Sequence, residues 1–552
     1  MNLFEKNLRV LGKRNPELLS FLAENYLDDT KLKHYSWDKN SFGEDIVYIG
    51  QRRMGSCYSN ENLIKQWIQQ YELVETNICL FGMVIPQVFD ELQQYVKPEN
   101  KLFIYEPDAE LFLQLIERVD VSGWLGKKNV YLTIGRDPKK SVFQKLEDFF
   151  EDYQPERECF CTMFLPGYSR IYEEESKMFD RELFQWLYYK EQNLVTTRRF
   201  FEQDIEKPLQ RICYYKEAII VERLKSNWDV DMPVIIVAAG PSLRKNIREL
   251  KRAKGHALIV AVARAVLYLK EEKIIPDIIV DIDESNAYET VDEQYRNVPL
   301  MGNSCIGEET FYWNQGRKIM ILDKPFLQRI KKEIGFPMVS YGYYGSCAIA
   351  AFAVFAMLGT KKIVLVGQDL AFGEDGNSHA EGVREDIDGN EVLPGYYGGT
   401  VLSRSDWYGF WCWYKRTLHT FPNCKVFNAT EGGASIPDTV QIPLKEVVDQ
   451  IETIDLDTSF LQEERYQVSE QEYDQMLAYL QKAKVQFQAV SHWNEKMYNV
   501  KKLELKEMLF YPILHECMYV SEERDEWSRF QEAVKYMKSH GWMEDKVWNL
   551  KK

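Results

Sequence analysis

The chain has 552 residues, of which 45% are hydrophobic, and a formal net charge of −16 at neutral pH. The length predicts about three domains of ordinary size, and the apolar share is sufficient for sizeable cores. The negative charge argues against a broad surface for nucleic acid or for an anionic membrane, because both need clustered positive charge, but it leaves room for a nucleotide site.

The sequence pattern of residues 1–200 predicts an N-terminal α/β, Rossmann-like domain with helical flanks. The segment 77–82 (NICLFG) is a short apolar run typical of a strand, 86–96 has helical periodicity, and 101–106 (KLFIYE) is a second strand. A strand, a helix and a strand in this order favour a right-handed parallel βαβ unit. The charged, aromatic stretch 170–211 has a helical pattern and is predicted to bridge to the next domain.

The central segment, 201–443, and the final segment, 444–552, have different patterns. Apolar runs typical of strands lie at 233–239, 257–263, 278–283 and 362–366, with helical stretches at 241–253 and 347–358. Strands that alternate with helices predict a doubly wound, Rossmann-like α/β sheet for the central domain. The final segment has charged and large apolar residues at helical spacing, which predicts a separate C-terminal helical domain.

The first motif is Gly240-Pro241-Ser242, at the end of the strand in VIIVAAGPSL (234–243). Glycine lets the backbone turn tightly beside a ligand, and proline suits the first helical position because its missing N–H costs little there. The following backbone N–H groups, with the Ser242 hydroxyl, can hold a phosphate at the positive end of the helix. An ordinary strand-to-helix turn explains an isolated GPS equally well.

The second motif places Asp281 and Asp283 at a strand end in PDIIVDIDES (276–285). Two positions apart, they point to the same face if the strand continues that far. Ligands in an open α/β sheet lie outside the carboxyl ends of the strands, where acids can hold Mg²⁺, a ribose hydroxyl or an amine. The alternative is that one aspartate caps the next element. The strand-end position favours a site role for Asp283 and leaves Asp281 open.

The third motif is IVLVGQDLAFGEDGNSHAEG (363–382), an apolar strand followed by a polar, glycine-rich loop. Gln368 and Asp369 can form hydrogen bonds with a sugar or a base. His379 is a candidate general base, because histidine titrates near neutral pH. A lone histidine in a loop is, however, more often a surface residue.

The fourth motif is VFNATEGGASI (426–436), in which Asn428, Thr430, Glu431 and Gly432 form a polar loop beyond a short strand. Such a loop can close a sugar-nucleotide pocket, although a connecting turn is the more common explanation. The sequence contains no Walker loop, no H-E-x-x-H and no G-x-S-x-G elbow, so it offers no signal for those classes of hydrolase and nucleotidase.

Cysteine spacing and the longest apolar run predict a cytoplasmic protein. Of the 10 cysteines, only Cys159 and Cys161 lie close together, and no second pair completes a zinc-ligand pattern, so we expect reduced thiols. Residues 1–20 are interrupted by charges and contain no apolar h-region. The longest apolar run, 347–359, is shorter than the roughly 20 residues that a membrane span needs. Nothing in the sequence indicates an oligomeric state.

Taken together, these segments resemble the motility accessory factor (Maf) family of flagellin glycosyltransferases, whose central domain is similar to that of 6-hydroxymethylpterin pyrophosphokinases of the MptE type. The matching segments are AAGPSL (238–243), PDIIVDID (276–283), AMLGTKKIVLVGQDLAF (356–372), SHAEG (378–382) and NATEGGASI (428–436). Upstream, ICLFG and LFIYEPDAELF (102–112) resemble the N-terminal α/β domain of the family. The resemblance covers most of the chain, and the C-terminal helical region is the least diagnostic part.

The resemblance implies a reaction. The Maf family is similar to bacterial sialyltransferases, which also carry a GPSL turn at the CMP site. A sialyltransferase-like central domain implies inverting transfer of a nonulosonic acid, of the pseudaminic, legionaminic or sialic type, from a CMP-activated donor. The implied acceptor is a Ser or Thr hydroxyl of flagellin or of another protein.

The resemblance also implies roles for individual residues. Those that bind the donor are Gly240, Pro241, Ser242, Arg264, Asp283, Gln368, Tyr396, Glu431 and Gly432. Those with catalytic roles are His379, Asp283 and Asp369, and the candidate ligands for Mg²⁺ are Asp281 and Asp283. In the implied mechanism His379 or a nearby acid deprotonates the acceptor hydroxyl, and CMP leaves with its phosphate stabilised by helix-end donors.

Arg264, in AVARAV (261–266), departs from the family pattern, which often has a small polar residue followed by Asp or Asn at this place. A guanidinium can bind the carboxylate or the phosphate of a donor with two hydrogen bonds. The substitution is equally consistent with a different donor.

Two other functions fit part of the pattern. An MptE-like pyrophosphokinase would use Asp281 and Asp283 to hold Mg²⁺-ATP, but such kinases are small single domains, and the late NATEGGASI segment favours the transferase. A non-catalytic, flagellin-binding assembly factor would use the helical region 444–552 to bind flagellin. An intact donor pocket argues against this third function.

Overall fold

The computed structural model describes residues 2–26, 35–135, 140–151, 153–284, 293–338, 345–373, 376–379, 391–451, 453, 455–523 and 525–544. The chain forms two compact units, residues 1–199 and residues 200–552. Over the described ranges, no helix combines the length and the apolar character needed to cross a membrane.

Unit 1 (1–199) is an α/β structure with two sheets. Its strands are β1 (Ser36–Lys39), β2 (Asp45–Ile49), β3 (Arg52–Met54), β4 (Thr76–Phe81), β5 (Leu102–Glu106), β6 (Val130–Ile134) and β7 (Cys159–Phe164). Its helices are α1 (Leu3–Arg14), α2 (Pro16–Asn25), α3 (Asn60–Ile68), α4 (Gln87–Leu92), α5 (Ala109–Arg118), α6 (Ser122–Leu125), α7 (Val142–Phe149), α8 (Tyr168–Ile171) and α9 (Glu173–Gln210), which ends beyond the unit boundary.

The larger sheet of unit 1 is parallel and has the strand order β6-β5-β4-β7, whereas β1, β2 and β3 form an antiparallel sheet. Every residue of β4 and β5 is buried, as expected for parallel strands that are covered on both faces. β4 and β5 are parallel neighbours connected through α4, so the βαβ unit predicted from the sequence is confirmed.

Unit 2 (200–552) contains the central sheet. Its strands are β8 (Ile219–Ile220), β9 (Val234–Val237), β10 (Leu258–Val262), β11 (Ile278–Asp281), β12 (Leu300–Asn303), β13 (Lys318–Ile321), β14 (Lys362–Val366), β15 (Glu391–Pro394), β16 (Thr400–Ser403), β17 (Lys425–Asn428) and β18 (Val440–Gln441). Its helices are α10 (Leu243–Asn246), α11 (Glu249–Ala253), α12 (Val266–Glu271), α13 (Glu308–Trp313), α14 (Pro325–Ile334), α15 (Cys347–Leu358), α16 (Ser405–Thr417), α17 (Leu444–Ile451), α18 (Glu470–Val490), α19 (Glu495–Lys506), α20 (Tyr511–Val520) and α21 (Glu526–His540).

The nine strands of the main sheet are all parallel and lie in the order β18-β17-β14-β9-β10-β11-β12-β13-β8. From β9 to β13 the chain adds strands in one direction, and β14 then pairs on the other side of β9. The order therefore reverses between β9 and β14, which is where doubly wound sheets bind ligands. The predicted doubly wound α/β fold is confirmed, and β15 and β16 form a separate antiparallel hairpin.

Two features of unit 2 differ in detail from the sequence prediction. The stretch 241–253, predicted as one helix, contains the short helices α10 and α11, separated at Ile247 and Arg248. The helices of 444–552, predicted as a separate domain, belong to unit 2, and their apolar side chains share one continuous core with the sheet. α15 is apolar all round and buried, because it packs against β9, β10 and β11 in the interior.

Candidate functional site

The predicted motifs meet where the strand order reverses. The loop after β9 begins at Ala238, and the loop after β14 begins at Gly367. The backbone N–H of Gly240 donates to the carbonyl of Gly367 at 2.8 Å, and the N–H of Ala238 donates to that of Val366 at 2.8 Å. The first and third motifs therefore form one structure at the carboxyl edge of the sheet.

Asp369 is the centre of this structure and is only 5% exposed. Its Oδ1 accepts the Ser242 hydroxyl at 2.7 Å, and the Ser242 N–H donates to both carboxylate oxygens at 3.3 and 3.1 Å. The donors that the sequence assigned to a phosphate are thus engaged by a carboxylate of the protein. A phosphate at Ser242 would meet the Asp369 carboxyl group, and the predicted role of Ser242 in donor binding stays a prediction.

Glycines allow the backbone to approach Asp369 closely. A Cβ at Gly240 would lie 2.1 Å from Asp369 Oδ1, and a Cβ at Gly432 would lie 2.8 Å from the Cβ of Ser242. Gly433 has φ +64, and its Cβ would lie 2.3 Å from the Asp369 carbonyl. The GPS and EGG segments are therefore required by packing around one carboxylate, which gives a structural reason for both motifs.

Burial raises the pKa of Asp369 from its ordinary value of 3.8 to about 6, against the opposing effect of the hydrogen bonds from Ser242 and of the Lys245 charge. A carboxyl group with a raised pKa stabilises the fold below its ordinary pKa, and this contribution is lost as the pH rises through 3.8 to about 6. The Ser242 hydrogen bonds partly compensate for the buried charge above that range.

Ser242→Ala is therefore expected to cost more stability at pH 8 than at pH 5. At pH 8 the lost hydrogen bond is to a carboxylate, worth about 1.5–3 kcal/mol, whereas at pH 5 it is to a neutral acid, worth about 0.5–1.5 kcal/mol. Urea denaturation at the two pH values measures the difference. In an Asp369→Asn background the same substitution should cost the same stability at both pH values. A pH-dependent loss of stability there would show that the Asp369 carboxyl group is not its cause.

Two connected cavities open around Asp369 and His379, which line both. The hairpin lobe, about 520 Å³, is lined by Pro241, Ser242, Arg244, Lys245, Asp369, Phe372, Gly373, Asn377, His379, Gly395, Tyr396, Tyr397, Gly398, Thr400, Val401, Gly432 and Gly433. The strand-end lobe, about 410 Å³, includes Gly240, Arg264, Asp281, Asp283, Cys347, Gln368, Asp369, Ser378, His379, Arg404, Asp406, Trp407 and Phe410. Both volumes lie within the range of small-molecule sites.

The two predicted metal-binding aspartates differ in burial. Asp281, the last residue of β11, is fully buried, and burial, followed by the charge of Asp283, raises its pKa to about 7. Its Oδ1 accepts the N–H of Asp283 at 2.9 Å, while its Oδ2 has no hydrogen-bond partner in the part of the chain that the structure describes. Asp283 lies beyond the strand and is exposed. Both residues line the strand-end lobe.

A further group of potential metal ligands lies outside the two cavities' aspartates. Of the described residues, only Asp204, Glu284 and Cys305 form a group of three potential metal ligands, with ligand atoms within 4.8 Å of one another. Lys324 Nζ lies 2.6 Å from Asp204, and Lys207 Nζ lies 3.4 Å from Glu284. Two ammonium groups therefore already neutralise this cluster.

His379 lies between Arg264 and Ser378. Arg264 Nη1 is 3.2 Å from His379 Nε2, and the Ser378 hydroxyl is 2.9 Å from Nδ1. Arg264 follows β10 and is exposed, so its guanidinium is at the mouth of the strand-end lobe. The chain thus brings together His379 and Arg264 as a pair, although no motif connects them. Residues 380–382 of the predicted SHAEG segment and residue 285 of the second motif lie outside the described residues.

The predicted donor-binding residues Gln368, Tyr396, Gly432 and Glu431 do not all face the cavities. Gln368 lines the strand-end lobe, and Tyr396 and Gly432 line the hairpin lobe. Glu431 lines neither lobe. Its Oε1 accepts the Asn246 amide at 3.0 Å and the N–H of Leu444, the first residue of α17, at 2.9 Å. Its side chain therefore connects α10 to α17, and the predicted contact with the donor stays a prediction.

Sequence reasoning did not single out Lys245, Arg404 or Trp407. Arg404 lies between β16 and α16, with its guanidinium carbon 4.1 Å above the Trp407 ring, and its Nε donates to Asp406 at 2.8 Å. Arg404 and Trp407 line the strand-end lobe because the hairpin places α16 beside it, whereas Lys245 lines the hairpin lobe. The aromatic run 407–413 (WYGFWCW) was the available signal, since tryptophan and tyrosine are frequent in binding surfaces.

Comparisons with known proteins agree with this arrangement. The family described as 6-hydroxymethylpterin diphosphokinase MptE-like matches residues 209–375. No curated protein sequence matches the chain. The solved structure of a Maf glycosyltransferase from Magnetospirillum magneticum AMB-1 has a TM-score of 0.55 and 12% sequence identity, and the match covers 100% of this chain and 97% of that one. The resemblance inferred from the sequence is therefore confirmed: an MptE-like segment is part of a fold that the chain shares with a Maf glycosyltransferase along its length.

Proposed function

We propose that the chain is a protein O-glycosyltransferase that moves a nonulosonic acid, of the pseudaminic, legionaminic or sialic type, from a CMP-activated donor to a Ser or Thr hydroxyl of flagellin. The observation that carries the proposal is the two-lobed cleft, whose lobes share Asp369 and His379. A sugar nucleotide has two bulky parts joined by a phosphate, and two connected lobes at the switch point of a doubly wound sheet suit such a ligand. The fold shared with a solved glycosyltransferase adds support.

In the proposed reaction the acceptor oxygen attacks the anomeric carbon from the side opposite the phosphate. The new carbon–oxygen bond forms as the bond to the phosphate breaks, CMP leaves, and His379 takes the proton of the hydroxyl. Arg264, 3.2 Å from His379, is placed to hold the carboxylate of the nonulosonic acid. Positive side chains beside the leaving phosphate stabilise the charge that develops there.

An MptE-like pyrophosphokinase is the second candidate. The match of residues 209–375 favours it, as does the position of Asp281 and Asp283 in the strand-end lobe. Asp281 Oδ2 is buried and has no hydrogen-bond partner in the described part of the chain, so in this candidate function the two aspartates would hold Mg²⁺, which would neutralise the phosphates of ATP. The cleft by itself fits either nucleotide.

Thermal stability in the presence of single ligands distinguishes the two. A ligand that binds only the folded state raises the melting temperature as its concentration exceeds its dissociation constant, by about 2.7 kcal/mol of stability at a hundredfold excess. We expect a shift with CMP and CMP-sialic acid, and none with UDP-sugars. A shift with ATP and Mg²⁺ that is absent with CMP would overturn the transferase proposal in favour of the kinase.

A further inference from the structure

In the proposed site the donor phosphate needs a cation or free hydrogen-bond donors, and the GPS turn does not supply them. The Ser242 N–H and hydroxyl both donate to Asp369, so they are not free for a phosphate. α10, which follows, has only four residues and offers no extended helix end. A phosphate at Ser242 would also lie against the Asp369 carboxylate, and like charges at that distance repel. The phosphate therefore needs another cation.

Lys245 differs from every other cation in its segment. The remaining five lysines and arginines from 244 to 254 each pair with a carboxylate: Arg244 with Glu271, Arg248 and Lys251 with Glu272, Arg252 with Glu249, and Lys254 with Asp277. Within the described ranges Lys245 forms no ion pair, and its Nζ has one long hydrogen bond, 3.4 Å to the carbonyl of Glu431. The charge of Lys245 opposes the rise in the pKa of the buried Asp369, but no salt bridge joins the two side chains in the described part of the chain.

The Lys245 ammonium group faces the hairpin lobe. Its Nζ lies 3.6 Å from the position that a Cβ of residue 432 would occupy, so Gly432 leaves open the space in front of it. Tyr396 and Tyr397, at the tip of the β15–β16 hairpin, line the same lobe, as does His379. A lysine without a salt bridge, beside a cavity lined by tyrosine and threonine hydroxyls and by the His379 ring, is suited to a phosphate, which lysine binds as a point charge.

We propose that Lys245, and not Ser242, binds the phosphate of the nucleotide donor in the hairpin lobe. This inference rests on the proposed function, because it assumes a ligand of the nucleoside monophosphate class or its sugar ester. A phosphate held by Lys245 in the hairpin lobe leaves the strand-end lobe for the other part of the donor. His379 lines both lobes and would therefore face the donor from either one.

The test compares the affinities of CMP and cytidine, which differ only in the phosphate. For the wild type we expect CMP to bind more tightly than cytidine. Lys245→Met should weaken CMP binding by roughly 10- to 100-fold, as for loss of a charge-assisted hydrogen bond, and leave cytidine binding unchanged. Lys251→Met, which removes a lysine paired with Glu272 outside the cavities, is the matched control and should change neither affinity. Isothermal titration calorimetry measures the affinities of CMP and of cytidine for four proteins, namely the wild type, Lys245→Met, Lys251→Met and Ser242→Ala.

Each outcome decides one question. If the wild type binds neither CMP nor cytidine, the CMP-dependent function fails, and the assignment of Lys245 to its phosphate fails with it. If CMP binds and Lys245→Met keeps the full preference for CMP over cytidine, the donor class stands and the Lys245 assignment is overturned. Loss of that preference in Ser242→Ala alone would return the phosphate to the GPS turn. Lys245 is exposed, so the variant should fold, which its melting temperature verifies.

Discussion

Replacing His379 by asparagine is expected to lower the turnover of sugar transfer by about 10²–10⁴-fold, with little change in donor affinity. His379 lines both lobes, so it is the side chain best placed between a bound donor and an entering hydroxyl. Asparagine keeps a polar atom where Nδ1 meets the Ser378 hydroxyl at 2.9 Å, and therefore preserves the loop contact while removing the base. Transfer to a serine-containing acceptor peptide, measured at saturating donor, gives the turnover.

The control for His379 is His419→Asn, because His419 is exposed and lines neither cavity. It should retain full turnover and full donor affinity. If His379→Asn keeps wild-type turnover, the base is another group, and Asp369, whose pKa burial raises to about 6, becomes the next candidate. If donor affinity falls together with turnover, His379 binds the donor rather than the acceptor proton.

Much of the central fold follows from local pattern. The runs that form β9, β10, β11 and β14 are continuous and apolar because parallel strands are covered on both faces. The carboxyl ends of parallel strands share one edge of the sheet, so residues following β9, β11 and β14 had to be neighbours. Gly240, Asp283 and Asp369 accordingly all line the strand-end lobe, as their positions after strands indicated.

The partners of these residues could not be read from local pattern. Ser242 and Asp369 are 127 positions apart, and each alone is a plausible ligand-binding group. Only the register of β9 against β14 shows that they bind each other. The same applies to Glu431. A glutamate in a polar loop suggests ligand contact, but the structure shows that its carboxylate accepts the N–H of Leu444, the first residue of α17. Long-range hydrogen bonds therefore engage both side chains, and no local pattern indicates them.

The hairpin lobe could not be predicted from local pattern for a different reason. The segment PGYYGG (394–399) is a glycine-rich loop by composition, and its folding into the turn of a hairpin depends on contacts far along the chain. The Tyr396 N–H donates to the Gly433 carbonyl at 2.8 Å, and the Ser435 N–H donates to the Pro394 carbonyl at 2.7 Å. These bonds fix the hairpin against the fourth motif. Without knowledge of these bonds, the sequence places Tyr396 in a loop and gives no indication of a cavity beside Lys245.

The stability of unit 2 depends on a buried ion pair that no motif signalled, Lys331 of α14 with Glu222, which follows the edge strand β8. Both side chains are 0% exposed, and Lys331 Nζ bonds Glu222 Oε1. Glu222 Oε2 has no hydrogen-bond partner in the described part of the chain. Lys331→Met should therefore destabilise the protein by about 3–5 kcal/mol, because it leaves a carboxylate buried without its counter-charge. Urea denaturation measures the loss.

The double variant Lys331→Met with Glu222→Leu distinguishes the destabilisation caused by one buried charge without a partner from the net contribution of the ion pair to stability. It should recover most of the stability, since apolar side chains of similar volume often replace a buried pair at little cost. Lys332→Met, at an exposed position on the same helix, should change stability by less than about 0.5 kcal/mol. A single variant at Lys331 no worse than this control would show that the pair contributes no charge-dependent stability. β8 is two residues long and lies at the edge of the main sheet, where it pairs with β13 and forms a single antiparallel bridge from Ile219 to Gln467. The loss in Lys331→Met should therefore begin at this edge, where hydrogen exchange at Ile219 and Ile220 should quicken first.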